Sequence, residues 1–369
     1  MRVLLVGDYP PPYGGVAIHV QQLHGFLRGQ GVEAKVLDIG KGGRPAPDVL
    51  PVKSPAHFAL RLAGFVSSGW TVHVHTSGNN PKSWVLAGMV GGVPGLRSPR
   101  VITLHSGLLP DYLAAASARR NFARVALAGY ERIIAVSEAV KAAVVECGVP
   151  EGKILVHPAF CASQVRPGPV PQVVDAARAR RKPLLAMAHH PSPVYGRALV
   201  FRALKLLAEQ LPDVGLALFG PGTDSDEFIR DVREARVAGH LEVLGELEHS
   251  AALGLIARSD AFIRPTTHDG DSISVREALA LSVPCVASDV CTRPQGTRVF
   301  RADDAQDLAR CVREAVAAGP AYVPQVDAGP VLLDLYRELA GPGAHHRAED
   351  SFKQSNESFD TGETRHAAQ

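Results

Sequence analysis

The 369-residue chain has no apolar run long enough to cross a bilayer, which takes about 20 consecutive apolar residues as a helix. The longest candidate, residues 84–96, is short and is broken by Gly91, Gly92 and Pro94. Cysteine is scarce: Cys147, Cys161, Cys285, Cys291 and Cys311 make an odd number with no C-x-x-C pair. That argues against a disulfide framework and a cysteine zinc site, and for reduced thiols. Aromatic residues make up only 6% of the chain, and no nucleic-acid motif is present, so base-stacking surfaces are not expected. The N-terminus, MRVLLVGDYPPP, offers a basic residue and a short apolar run, but Asp8 follows with no small-residue cleavage site. It reads as a first buried strand rather than a signal peptide. These absences lead to the expectation of a cytoplasmic protein with two domains of ordinary size.

The net charge is only +2, yet it is unevenly spread. Residues 1–160 carry an excess of Lys and Arg, while residues 161–340 and the tail carry an excess of Asp and Glu. A basic first domain suits an anionic membrane surface or partner. Within it, residues 113–130 mix Arg119, Arg120 and Arg124 with Leu113, Phe122, Val125 and Tyr130. Such a helix rests on a membrane or is a domain-surface helix with snorkelling arginines.

Short apolar runs alternate with helical periodicity through most of the chain. Strands are predicted at 2–6, 34–37, 71–74, 101–104 and 133–136, with helices at 16–30 and 140–147. Residues 159–183 interrupt the pattern with Pro167, Pro169, Pro171 and a basic ARARRKP, and read as an interdomain connection over 161–183. The alternation then restarts, with strands at 184–187, 215–219, 241–244, 261–263 and 284–288 and helices at 197–210, 227–235, 250–258 and 305–318. Strands separated by helices imply right-handed crossovers and a parallel sheet. The reading is therefore α/β: a first doubly wound domain over 1–160 and a second over 184–340. Ligands then belong where strand C-termini face the cleft. The last helix, 331–339, is free to pack back on the first domain, and the polar residues 341–369 are expected to be disordered.

The most informative stretch is HDGDSISVREALALSVP, residues 268–284. It sets Asp269 eight residues before Glu277 across a loop rich in Gly and Ser. Ser274 and Glu277 have the spacing of a capping box, with Ser274 as N-cap. A helix start presents free N–H groups and a positive dipole end, which suits a phosphate. Glu277 is either a cap or a ligand-binding acid.

Taken in order, several motifs carry a resemblance: PPPYGGVAIHVQQL, VITLHSG, IIAVSEAVKAAVVECGVPEGKILVHPA, VGLALFGPG, and the long run from LEVLGELEHS through DGDSISVREALALSVPCVASD. Residues 1 to about 340 resemble the family 4 retaining glycosyltransferases of the GT-B fold, in which two Rossmann-like domains face a cleft. The DGDSISVREAL wording resembles enzymes of bacterial exopolysaccharide and surface-glycan assembly.

The resemblance implies a role for each matching residue. Glu277 would accept hydrogen bonds from the donor ribose, and Asp269 would face the transferred sugar. The family usually has Glu at the latter position, so the carboxylate is withdrawn by about 1.5 Å. His105 would contact the donor sugar near the reacting centre. Gly14 and Gly15 would bring amides to the phosphates, and Gly270, Asp271, Ser272, Ile273 and Ser274 would line the donor loop. Leu244 and Gly245 would line the base, and Gly220 and Gly222 form the turn after the preceding strand.

One mismatch stands out. Where the family has an Arg and a Lys gripping the diphosphate, this chain has His190 and Tyr195. Compensation would come from Arg197, Arg264, Arg276 or Arg293, or from protonated His190. The family is typically metal-independent, and the D-x-D of Asp224 and Asp226 reads as a polar turn, so neither a metal nor a cofactor is expected. The implied reaction moves a sugar, as a hexosyltransferase would, from a UDP- or GDP-sugar to a hydroxyl of a glycan or lipid-linked glycan acceptor. The rival readings are a non-catalytic nucleotide-sugar-binding scaffold and a nucleotide-sugar epimerase.

Overall fold

The computed structural model describes residues 1–41, 46–93 and 98–341; the expected disorder of the tail falls outside them. The first sheet contains β1 (Arg2–Gly7), β2 (Glu33–Asp38), β3 (Val49–Pro51), β4 (Thr71–Thr76), β5 (Arg100–Leu104), β6 (Arg132–Ala135) and β7 (Ile154–Val156). All neighbours pair in parallel, in the order β3-β2-β1-β4-β5-β6-β7. Helices α1 (Gly15–Gly29), α2 (Pro55–Ser67), α3 (Pro81–Gly91), α4 (Leu109–Ala114), α5 (Ser117–Leu127) and α6 (Glu138–Glu146) make the crossovers. The order reverses between β1 and β4, so a crevice opens at their C-terminal ends.

Local chemistry explains several boundaries. Ser54, Asn80 and Ser137 each accept a bond from a backbone N–H in the first turn of the helix that follows, as N-caps do. The apolar run at 84–96 is largely α3, whose buried face carries Trp84, Ala87 and Val90. The basic stretch 113–130 is not one helix: it breaks at Ala115 and Ala116 between α4 and α5. Arg119 donates to the Tyr112 carbonyl and Arg120 to those of Leu113 and Ala114. These arginines therefore satisfy the last carbonyls of α4, where cations also suit the helix dipole.

The connecting residues hold a further helix, α7 (Gln172–Arg180), whose Val174 and Ala177 are buried in the core of the second half. The prolines before it and its own arginines obscured the amphipathic pattern. The second sheet is β8 (Leu184–Ala188), β9 (Gly215–Phe219), β10 (Leu241–Gly245), β11 (Ala261–Arg264), β12 (Cys285–Ser288) and β13 (Thr297–Phe300), in the parallel order β10-β9-β8-β11-β12-β13. Its helices are α8 (Arg197–Gln210), α9 (Asp226–Ala235), α10 (His249–Ala257), α11 (Ile273–Ala280) and α12 (Ala305–Ala318). Its switch point lies between β8 and β11.

The final helix, α13 (Ala328–Ala340), lies against the first sheet. Leu332, Leu333 and Tyr336 are buried with Val3, Leu5, Leu23 and Phe26. Among the described residues no helix is long and apolar enough to cross a membrane.

Candidate active site in the interdomain cleft

A cavity of about 400 Å³ lies between the two sheets, within the usual range for small-ligand sites. The helices α1 and α11 both begin at its wall. Gly14 is the N-cap of α1, and Gly14 and Gly15 both line the cavity with open space where a side chain would sit. Gly270, Asp271, Ser272, Ile273 and Ser274 line it from the other side. Two sets of first-turn N–H groups thus approach one space, an arrangement suited to an anion with two phosphates.

The α11 start differs from the expected capping box. Ser272, not Ser274, occupies the cap position, and no side-chain cap bond forms. Glu277 is therefore free of capping and is 4% exposed. Its Oε1 lies 2.7 Å from His249 Nε2 and accepts from Gln22 Nε2 at 3.1 Å. Gln22 sits on α1, so this bond joins the two halves of the molecule. Burial alone would lower the His249 pKa, but the Glu277 charge and hydrogen bond raise it overall.

Asp269 is held tightly. Its Oδ2 accepts from Arg264 Nε at 3.1 Å, Arg293 Nη1 at 2.8 Å and Thr266 Oγ1 at 3.1 Å. Burial opposes its ionisation, yet the two guanidinium groups hold its pKa down at about 2. Asp271 pairs with Arg276 at 2.8 Å, while burial raises its pKa above the usual carboxylate value.

These pairings decide which arginine reaches the cavity. Arg197 points elsewhere, pairing with Glu227 and Asp231 in a separate groove, which corrects its expected donor-binding position. Arg276 and Arg293 are committed to carboxylates and are absent from the lining. Arg264 is the one Lys or Arg among the described lining residues, and its guanidinium lies 4.9 Å from the Tyr195 ring centre. His190 lines the cavity and stacks on Tyr195 at 4.9 Å. Burial lowers its pKa, and Nδ1 accepts a bond from the Ser192 N–H at 3.0 Å.

Other expected residues divide similarly. Gly220 lines the cavity at φ +132°, where an added Cβ would meet the His189 carbonyl oxygen at 2.2 Å. Leu244 and Gly245 are not in the wall: Leu244 packs on the core, and the next two residues, Glu246 and Leu247, take the lining positions. Of the D-x-D, Asp226 opens α9 behind the Ser225 cap, away from the cavity.

His105 follows β5 and lines the cavity from the first domain, where burial pushes its pKa down to about 3. The two walls approach closely here. A Cβ on Gly107 would lie 2.0 Å from the Asp269 carbonyl oxygen, and one on Gly270 would lie 2.8 Å from the Gly107 nitrogen. The residues that sequence reasoning missed are Gln22, His249, Glu246 and Leu247, together with His19 and His75 behind His105. All but His75 lie inside the motifs PPPYGGVAIHVQQL and LEVLGELEHS, but only long-range folding brings them together at the site.

Twin crossover sheets facing a cleft define the class as a protein of the GT-B fold. Residues 13–160 match the family described as Glycosyltransferase Family 4, and residues 174–309 match Glycosyl transferases group 1. One match falls in each half and together they cover most of the chain, which belongs to these group 1, family 4 glycosyltransferases. It is 27% identical over 335 residues to a glycogen synthase of Mycobacterium tuberculosis, covering 79% of this chain and 78% of that one. It is also 29% identical over 119 residues to a phosphatidyl-myo-inositol mannosyltransferase of the same species, covering 32% and 30%. Among solved structures, Anabaena HepE in complex with UDP and glucose superposes with a TM-score of 0.64 at 16% identity, over 86% and 90% of the two chains. A UDP-forming trehalose-phosphate synthase from Burkholderia vietnamiensis gives 0.64 at 15% identity, over 86% and 92%. These likenesses establish the GT-B fold.

Proposed function

We propose that the cleft binds a nucleoside-diphosphate sugar and transfers its sugar, a hexose, with retention of anomeric configuration. The observation that carries this reading is the convergence of the α1 and α11 starts, Arg264 and Glu277 on one cavity. Helix N-termini and Arg264 meet the diphosphate, and Glu277, a buried acceptor, suits the vicinal diol of a ribose. His105 and Asp269 flank the space left for the sugar. In the proposed step the bond from the anomeric carbon to the diphosphate oxygen breaks as the bond to an acceptor hydroxyl oxygen forms on the same face. The acceptor proton passes to the departing phosphate oxygen, so no protein nucleophile is required. Fixed positive groups stabilise the charge that builds on the leaving group, typically by several kcal/mol.

The structures of Anabaena HepE with UDP and UDP-glucose favour a uridine donor here. A lipid-linked glycan acceptor fits the exposed face of α5, where Phe122 and Val125 stand 46% and 68% exposed beside basic residues. This face would rest on the inner surface of the cell membrane. The role in polysaccharide assembly rests on the DGDSISVREAL wording. A second reading, a nucleotide-sugar-binding protein without turnover, is favoured by the pairing of Asp269 with two arginines.

The test is a thermal-shift screen of UDP- and GDP-sugars, since a ligand of the native state raises its apparent stability. A shift is expected with the parent chain and none with Glu277→Ala. Equal shifts for both would overturn the site assignment. Donor binding without transfer to any lipid-linked acceptor would favour the second reading, and epimerisation of the donor without acceptor would point to an epimerase.

A further inference from the structure

Behind the cavity wall of the first domain, His105 is backed by two imidazoles that the transfer reaction does not use, those of His19 and His75. We infer that His19, His75 and His105 form a site for one divalent transition-metal ion, Zn²⁺ by the chemistry of the ligands. His19 comes from α1, His75 from β4, and His105 from the residue after β5. One ring nitrogen of each lies within 4.8 Å of the other two. His75 Nδ1 and His105 Nε2 are already 3.4 Å apart, close to the edge of roughly 3.3 Å in a tetrahedron with Zn–N bonds of about 2.0–2.1 Å.

A second observation points the same way. His19 and His75 are each 1% exposed. Neither nitrogen of His19 has a hydrogen-bond partner, and Nε2 of His75 has none. Buried polar groups are normally paired, and a cation bound here turns one idle nitrogen of His19 into a ligand, with His75 bound through the Nδ1 that faces His105. The His19 ring stands 5.1 Å from His75 and 5.3 Å from His105, inclined at 76° and 59° to them rather than stacked. His73 is not a further ligand, because its nitrogens are engaged by the Tyr336 hydroxyl and by Thr103 Oγ1. It packs 4.1 Å from His75 and fixes that ring from behind.

The all-imidazole set selects the metal. Mg²⁺ and Ca²⁺ take oxygen ligands, whereas three histidines suit Zn²⁺ and its transition-metal neighbours. His105 alone of the three is in the cavity wall, which gives the ion access from the cleft. A three-protein-ligand zinc site keeps one position for water or another ligand. The expectation that no metal binds rested on the typical metal independence of the resembled family and on the Asp224–Asp226 D-x-D reading as a polar turn, whereas these histidines come from three separate elements. The inference holds whether or not the cleft transfers sugar.

The experiment uses the full-length chain stripped by chelator, titrated with Zn²⁺ by calorimetry and with Co²⁺ by visible absorption. One equivalent of Zn²⁺ is expected to bind and raise the melting temperature, and Co²⁺ is expected to give the strong absorption of tetrahedral coordination. His19→Gln and His75→Gln should each weaken Zn²⁺ binding by more than the roughly 10–100-fold typical of outer-shell losses. His57→Gln, on α2 and outside the cluster, should bind as the parent does. Equal binding by the two buried-site variants would show surface histidines only and overturn the site. The cobalt spectrum of the unaltered chain decides independently of any variant's folding: a weak octahedral spectrum, or none, overturns the proposal.

Discussion

The first domain meets the cavity with His105, backed by His19 and His75, whose burial holds all three neutral. The second domain meets it with Asp269, Glu277, Arg264 and His249, each engaged in an ion pair. Two sheets of the same winding have thus put unlike chemistry on facing walls. The charged wall is pre-organised by its own pairs, so it can present fixed charge to an anionic ligand with little reorganisation. The neutral wall spends no charge on the cleft and leaves ring nitrogens unpaired, each such group costing about 1–3 kcal/mol. The winding order positions both walls, and the residues at strand ends decide what each does.

The contact between the two walls is tested by forcing them apart. Gly107→Ala places a methyl group against the Asp269 carbonyl, where backbone must shift. If the closed arrangement drops to a tenth of the population, apparent donor affinity falls about tenfold, and small-angle scattering should show a larger radius of gyration. Unchanged scattering and affinity would mean that the loops yield locally and the walls are not coupled there.

Asp269→Asn tests the charged wall. It leaves Arg264 and Arg293 without an ionic partner, and breaking such a buried cluster costs about 3–5 kcal/mol, readable in urea unfolding at neutral pH. The folded Asp269 pKa is depressed from 3.8 to about 2. The parent's advantage is therefore present above pH 4 and disappears as pH falls through about 2. A constant difference down to pH 2 would contradict the pairing.

His249→Gln should have the smallest effect. The His249 pKa is raised in the folded state, so its stabilisation, about 1–2 kcal/mol, is complete below roughly pH 6.5. It is lost as pH rises through the folded value. The variant should lack that alkaline decline in melting temperature, and an identical pH profile would remove the Glu277 contact from the account.

Much of the charged wall was legible in the sequence, because Asp269, the glycine-rich loop and Glu277 lie within one short segment that folds as a unit. The neutral wall was not: only His105 stood out, since His19 and His75 acquire meaning when α1 folds over β4. The Ser274 cap was misplaced by local pattern alone. Ser272 starts the helix earlier, and contacts to Gln22 and His249 from distant elements claim Glu277 instead. Strand β13 was missed because TRVF is short, half-exposed and preceded by a turn. Arg197 looked equivalent to Arg264 in sequence, and only the positions of Glu227 and Asp231 on α9 separate them.

The central claim is that Arg264 and Glu277 hold a nucleoside diphosphate between the two walls. It is tested most directly by calorimetric titration of UDP into the parent chain and into Arg264→Met. The account predicts saturable binding to the parent and a loss of roughly 10–100-fold in the variant, as for the removal of a charge-assisted bond of about 1.5–3 kcal/mol. Equal affinity in the two proteins would contradict it.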